Sequence, residues 1–265
     1  MLTDTLKTEL EACAHTLADA ARLTILPYFR SVGLEADNKD AAGFDPVTEA
    51  DRAAERAMRA VLADLRPEDG ILGEEYGTTE GRSGLTWVLD PIDGTRAFLS
   101  GTPTWGVLIA VMNDSGPLMG LVDQPFIGER FFGGFEAAWV DGPTGRQELS
   151  TRGPRPLDQA ILFTTFPEVG SDKERAAFHD LAGQVKLTRY GLDCYAYALV
   201  AAGQIDLVVE AGLAAYDIQG PMAVIQAAGG IVTDWTGGPV HMGGRVVAAA
   251  NPEIHAAALA ILSKA

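Results

Sequence analysis

Trp87-Val88-Leu89-Asp90-Pro91-Ile92-Asp93-Gly94-Thr95 is the stretch on which the reading of this chain turns. A run of apolar residues predicts a strand over residues 86–90. It leads into two aspartates three residues apart, then Gly-Thr and a short helix over residues 95–99. A strand end can present both carboxylates at its carboxyl edge, where a hard cation is shared between them. Gly94 allows a close backbone approach, and the N–H groups of Gly94 and Thr95 at a helix start suit a phosphate. Two carboxylates and an anion side by side are costly without a cation. At about 4 Å and an effective dielectric near 20, each like-charge pair costs on the order of 4 kcal/mol. The segment read alone is equally a strand end followed by an Asp-rich turn.

Three more acidic places stand out, each with an ordinary alternative. Glu74 follows Gly73 at the end of a strand over residues 70–73, where a solvated glutamate is usual. Asp217 follows Tyr216 at a helix start, a position that favours a capping aspartate. Asp51 lies three residues after Thr48 and suits a capping box.

The rest of the chain frames these sites. Leu6, Leu10, Cys13, Leu17 and Ala21 predict a helix over residues 4–30, with Pro27 in its last turns. Residues 31–45 read as a loop. A second helix begins near Thr48, shows Ala54, Met58, Val61, Leu62 and Leu65 on one face, and stops at Pro67. Strands follow at 104–113, 117–123, 129–133 and 137–140, giving an antiparallel sheet covered by the two helices. From residue 151 strands and helices alternate: strands 159–164, 185–189, 205–210, 230–234 and 245–250, and helices 172–183, 193–202, 217–228 and 252–263. This is α/β organisation. The turn-rich segment 142–156 is the candidate boundary between an N-terminal α+β part, 1–150, carrying most of the acidic sites, and a C-terminal part, 151–265.

Composition narrows the function. Of 265 residues, 47% are apolar and 21% charged, as in ordinary globular proteins. The net charge of −16 argues against nucleic acid as a partner. No apolar run reaches the roughly 18 residues of a membrane span. The opening Met1-Leu2-Thr3-Asp4-Thr5-Leu6 lacks the pattern of a secretory signal. Two cysteines, Cys13 and Cys194, make no disulfide framework and fit a cytoplasmic setting. His15, His179, His241 and His255 lie outside the acidic motifs and read as surface or packing residues.

Taken in order, Asp45-Pro-Val-Thr-Glu-Ala-Asp51, Gly73-Glu-Glu75, Trp87 to Thr95, and Tyr216-Asp217 followed by Ala227-Ala-Gly-Gly230 resemble the inositol monophosphatase family. This is a group of lithium-sensitive magnesium phosphatases related to fructose-1,6-bisphosphatase. The motifs span residues 39 to 234. The resemblance implies a layered αβαβα sandwich and a homodimer. It implies that Glu74, Asp90, Asp93, Asp217 and the Ile92 carbonyl hold two or three Mg²⁺ ions, with Mn²⁺ a possible substitute. Gly94 and Thr95 would bind phosphate oxygens, and Thr95, with Asp51 and Glu74, would orient and deprotonate the attacking water. Lys39 falls near the family's lysine behind the metal ligands, in a loop one residue longer here.

The alcohol half of the substrate would be read by the segment around Arg189 and Gly191, by Asp193 and by Glu210, with Arg189 adding a contact to phosphate or to the substrate's polar end across a dimer interface. Many inositol phosphatases have a small residue where this chain has Asp193. Asp193 and Glu210 could jointly face a cation, or Asp193 could simply cap the helix that starts there. Asp93-Gly-Thr-Arg96-Ala-Phe98 and Tyr190-Gly-Leu-Asp193-Cys-Tyr-Ala-Tyr197 look like the histidinol-phosphate phosphatase branch, where Arg96 is typical. The expected substrate is therefore a small cationic phosphate ester, histidinol phosphate in histidine biosynthesis. Inositol 1-phosphate or a 3′-phosphoadenosine nucleotide is the alternative on the same chemistry. A regulatory binding protein without catalysis is the reading from another class, and no implied metal ligand is missing to favour it.

Overall fold

The computed structural model describes residues 2–33, 36–38 and 46–265, so the expectation for Lys39 and that for Asp45 lie outside the described residues. Helix α1 (Asp4–Ile25) is capped by the Thr3 hydroxyl and buries Leu10, Cys13, Leu17, Ala21 and Ile25 along one stripe. It ends earlier than its periodicity suggests because Pro27 has no N–H to continue the ladder. Helix α2 (Glu49–Leu65) starts with the expected capping box between Thr48 and Asp51. A short antiparallel hairpin, β1 (Ala36–Asn38) with β2 (Pro46–Thr48), precedes it where a loop was expected.

The first sheet has eight strands. In chain order they are β3 (Gly70–Gly73), β4 (Gly77–Thr79), β5 (Thr86–Asp93), β6 (Gly106–Asn113), β7 (Gly116–Gln124), β8 (Glu129–Gly134), β9 (Ala137–Gly142) and β10 (Gly145–Glu148). In space they run β10-β9-β8-β7-β6-β5-β3-β4. All neighbours are antiparallel except β3 and β5, which are parallel with Gly73 opposite Leu89. That exception matters: parallel strands end at the same edge, so Glu74, next after β3, comes level with Asp90 of β5. The short helix α3 (Thr95–Leu99) follows β5.

The second sheet has five strands: β11 (Ile161–Thr164), β12 (Leu187–Tyr190), β13 (Leu207–Leu213), β14 (Ile231–Thr233) and β15 (Gly244–Ala249), ordered β12-β11-β13-β15-β14. β11 pairs in parallel with β12 and β13, joined through α4 (Asp172–Ala182) and α5 (Asp193–Ala201). β15 is antiparallel to both neighbours, because the link from β14 is a loop and not a helical crossover. Helix α6 (Ala215–Ala227) precedes β14, and α7 (Pro252–Leu262) closes the chain.

Three buried clusters join five layers, the middle cluster enclosing the α5 and α6 layer on both sides. Helices α1 and α2 pack on the first sheet, α5 and α6 lie between the two sheets, and α4 and α7 cover the second sheet. This is the αβαβα sandwich. Helix α6 is buried without a break from Ile218 to Ile225, as a helix between two sheets must be. It seats directly on sheet backbone: a Cβ on Gly120 would stand 2.3 Å from the Gly220 carbonyl oxygen. Gly120→Ala should therefore push α6 off the sheet and lower unfolding free energy by about 1–3 kcal/mol. The measurement is the urea midpoint, at unchanged slope; an unmoved midpoint would show that the close approach is not required.

Candidate active site

The two aspartates of β5 share an edge for a geometric reason. In a regular strand, residues three apart point to opposite faces. Between Asp90 and Asp93 the ladder slips: Asp90 faces Leu108 and Asp93 faces Gly106, three steps on β5 against two on β6. The extra residue makes a bulge, and Pro91, with no N–H for the ladder, sits inside it. The bulge re-aims Asp93 to the side of Asp90. Asp217, in the first turn of α6, comes to the same place, and its Oδ2 accepts from Ala214 N at 2.7 Å. Asp90, Asp93 and Asp217 each offer an oxygen within 4.8 Å of the others.

Glu74 adds a fourth carboxylate at the end of β3. Its backbone N–H donates to the Leu89 carbonyl at 3.1 Å. Burial first, and then the charges of Glu74, Asp93 and Asp217, push the Asp90 carboxyl well above its ordinary value. Burial and the charges of Asp193 and Asp217 do the same to Asp93, although the Cys194 N–H donates to it at 2.6 Å. One oxygen of Asp90, Oδ1, is buried with no hydrogen-bond partner among the described residues. A crowded set of hard oxygen donors with an unmatched lone pair fits a divalent cation of the Mg²⁺ or Ca²⁺ kind.

Beside this cluster the chain turns at Gly94, whose φ of 83° and ψ of 41° are left-handed. A Cβ there would meet Asp193 Cγ at 2.8 Å. The Thr95 hydroxyl reaches the Ile92 carbonyl at 3.1 Å and Asp51 Oδ1 at 3.4 Å. Asp51 is 1% exposed, and its other oxygen accepts from the backbone and hydroxyl of Thr48. One carboxylate therefore both caps α2 and touches Thr95.

Asp193 does not cap its helix. No side-chain capping bond is made there, and the residue has a φ of 49°. A left-handed aspartate is uncommon and is held by its surroundings. Here the carboxylate packs against Gly94, accepts from the Thr104 hydroxyl at 3.3 Å and lines the cavity. Burial and the nearby Glu210 push its pKa up to about 6, against the opposite pull of Thr104 and Arg96. Glu210 is buried and also raised by burial, with Thr165 and Tyr197 pulling the other way.

These groups line one cavity of about 310 Å³. It brings together Glu74, Asp90, Ile92, Asp93, Gly94, Thr95, Arg96, Asp193, Glu210 and Asp217. Arg189 and Gly191 are not among its walls. Arg189 is exposed on β12, at the edge of the second sheet, and Gly191 is an exposed left-handed turn residue after it. Two groups escaped sequence reasoning. Glu55, fully buried on α2, accepts the N–H groups of Glu75 and Tyr76 and so fixes the chain just after Glu74. Its signal was a charge in the helix's apolar stripe with Asp51, Met58 and Leu62. The other is the loop after β11, whose Thr165, Phe166 and Glu168 line the cavity; nothing local in Thr-Thr-Phe-Pro-Glu marks it.

The inositol monophosphatase family model matches residues 6–265. The chain belongs to the inositol monophosphatase family. The bifunctional phosphatase IMPL2, chloroplastic, of Arabidopsis thaliana is 40% identical over 97% of this chain and 76% of its own. A histidinol-phosphatase of Streptomyces coelicolor is 33% identical, covering 95% of this chain and 96% of its own. Among solved structures, an inositol monophosphatase from Zymomonas mobilis superposes with a TM-score of 0.85 at 38% identity, over 99% of this chain and 100% of that one. Family membership makes the chain a phosphoric monoester hydrolase. Among the described residues no helix is long and apolar enough to cross a membrane.

The raised carboxyls have a consequence for stability. Asp193 holds its proton to higher pH folded than unfolded, so the native state binds more protons between its ordinary value of 3.8 and about 6. Stability must then fall as pH rises through that window. In chelator-treated protein, Asp193→Asn should flatten this part of the curve of urea midpoint against pH. An unchanged slope would show that Asp193 carries no burial penalty.

Proposed function

We propose that this phosphatase is a Mg²⁺-dependent histidinol-phosphate phosphatase. The observation that carries the reading is Asp193: a carboxylate turned into the cavity by a left-handed backbone, beside Glu210 and away from its helix cap. An acidic wall next to the phosphate end favours an alcohol that is a cation, as histidinol is. The relative named histidinol-phosphatase supports the same class.

In this reading Glu74, Asp90, Asp93, Asp217 and the Ile92 carbonyl hold the ions. When bound, Mg²⁺ neutralises phosphate charge, lowers the pKa of water and steadies the departing alkoxide. The N–H groups of Gly94 and Thr95 bind phosphate oxygens at the start of α3. The Thr95 hydroxyl orients the attacking water, whose proton passes by way of that hydroxyl to the Asp51 carboxylate or directly to Glu74. Water's oxygen attacks phosphorus, the ester P–O bond breaks, and the leaving alkoxide gains a proton. Unaided, phosphate monoesters are among the slowest substrates, needing acceleration of up to roughly 10²¹-fold, so charge neutralisation dominates this design. The working unit in this reading is a cytoplasmic homodimer.

Inositol 1-phosphate is the second reading, favoured by the similarity to the Zymomonas mobilis inositol monophosphatase. A nucleotide bearing further phosphates would meet the carboxylates of the alcohol wall and be repelled.

Two outcomes test the proposal. Asp93→Asn, or removal of Mg²⁺ by chelator, should abolish turnover while circular dichroism stays native; retained turnover would overturn the metal mechanism. Asp193→Ala should raise KM for histidinol phosphate more than KM for inositol 1-phosphate, and equal rises would remove Asp193 from substrate selection.

A further inference from the structure

Glu210 is held more by the protein than by the cavity. Its Oε1 accepts from the backbone N–H of Thr165 at 3.0 Å and from the Thr165 hydroxyl at 2.6 Å. Its Oε2 accepts from the Tyr197 hydroxyl at 3.0 Å. A carboxylate has about four acceptor places, and three are filled inside the fold. The bonds to Thr165 pin the first residues after β11, so Glu210 acts as an anchor for that loop.

The loop then carries two further side chains into the cavity wall, Phe166 and Glu168. Phe166 is 43% exposed, a large apolar ring left open at the mouth. The guanidinium of Arg96 lies over it, 4.8 Å from the ring centroid. The ring thus already receives a planar cation, from the residue that follows Thr95. An aromatic face attracts cations through its quadrupole, and a nearby carboxylate adds to that attraction.

We infer that Phe166 is the platform on which the planar imidazole ring of the substrate stacks in its protonated form, with Glu168 as its counter-charge. The inference rests on the reading that the substrate is a cationic ester. Substrate binding then exchanges partners at both ends. The head group takes the place over the ring, and the Arg96 guanidinium turns from the ring to the phosphate beside Thr95. Glu210 is a positioning residue for this platform, acting through Thr165.

The test uses the full chain with saturating Mg²⁺ and two substrates, histidinol phosphate and inositol 1-phosphate. Phe166 lies outside the buried clusters, so its replacement leaves the core intact. Phe166→Ala should lower kcat/KM for histidinol phosphate about tenfold more than for inositol 1-phosphate. The loss should appear in KM, since the platform binds the head group and not the reacting phosphorus. Phe166→Trp, which keeps an aromatic face, should preserve the preference. Equal losses on both esters, or a preference unchanged in Phe166→Ala, would overturn the platform while leaving the cationic substrate standing. A wild-type enzyme without preference for histidinol phosphate would sink the reading of substrate charge, and the platform with it.

Discussion

Four carboxylates forced together at one sheet edge are the constraint around which this protein is organised. Asp90, Asp93 and Asp217 approach within 4.8 Å, and Glu74 bears on Asp90. Burial and mutual repulsion both oppose the ionisation of Asp90 and Asp93. Such an arrangement persists only if the surrounding fold is stable enough to impose it. The three apolar clusters and the direct seating of α6 on sheet backbone supply that stability. The same repulsion is what a divalent cation would relieve.

Each carboxylate arrives by a different structural device. The bulge at Pro91 turns Asp93 to the side of Asp90. The single parallel pair, β3 with β5, brings Glu74 level with them, and Glu55 ties down the chain that follows. The first turn of α6 delivers Asp217. The start of α5 delivers the Cys194 N–H to Asp93 and the Asp193 carboxylate to the cavity. Helices between the two sheets thus complete a site begun on the first sheet. The second sheet and α5 supply the facing wall of the cavity, with Glu210 and Asp193.

Much of this was legible in sequence because it is local. The stripe of α1, the capping box at Thr48 and the strand into Asp90 each declare themselves within a few residues. The acidic motifs were legible through their combination and order, since each alone suits a cap or a turn. What escaped depends on partners distant in the chain. The parallel pairing of β3 is set by its neighbours and not by its four residues. The role of Asp193 could not be decided from its position at a helix start, because its backbone conformation decides where the carboxylate points. Arg189 stands at an exposed sheet edge, outside the cavity of its own chain. Phe166 and Glu168 line the cavity from a loop whose Thr165 is bonded to Glu210 on another strand.

The central claim is that the buried carboxylates are a divalent-cation centre. Calorimetric titration of chelator-treated protein with Mg²⁺, repeated in buffers of different ionisation enthalpy, tests it most directly. The account predicts binding accompanied by proton release, because the raised carboxyls of Asp90 and Asp93 must ionise to serve as ligands. Asp90→Asn should abolish both the binding and the proton release. Mg²⁺ binding that releases no protons and survives Asp90→Asn would contradict it.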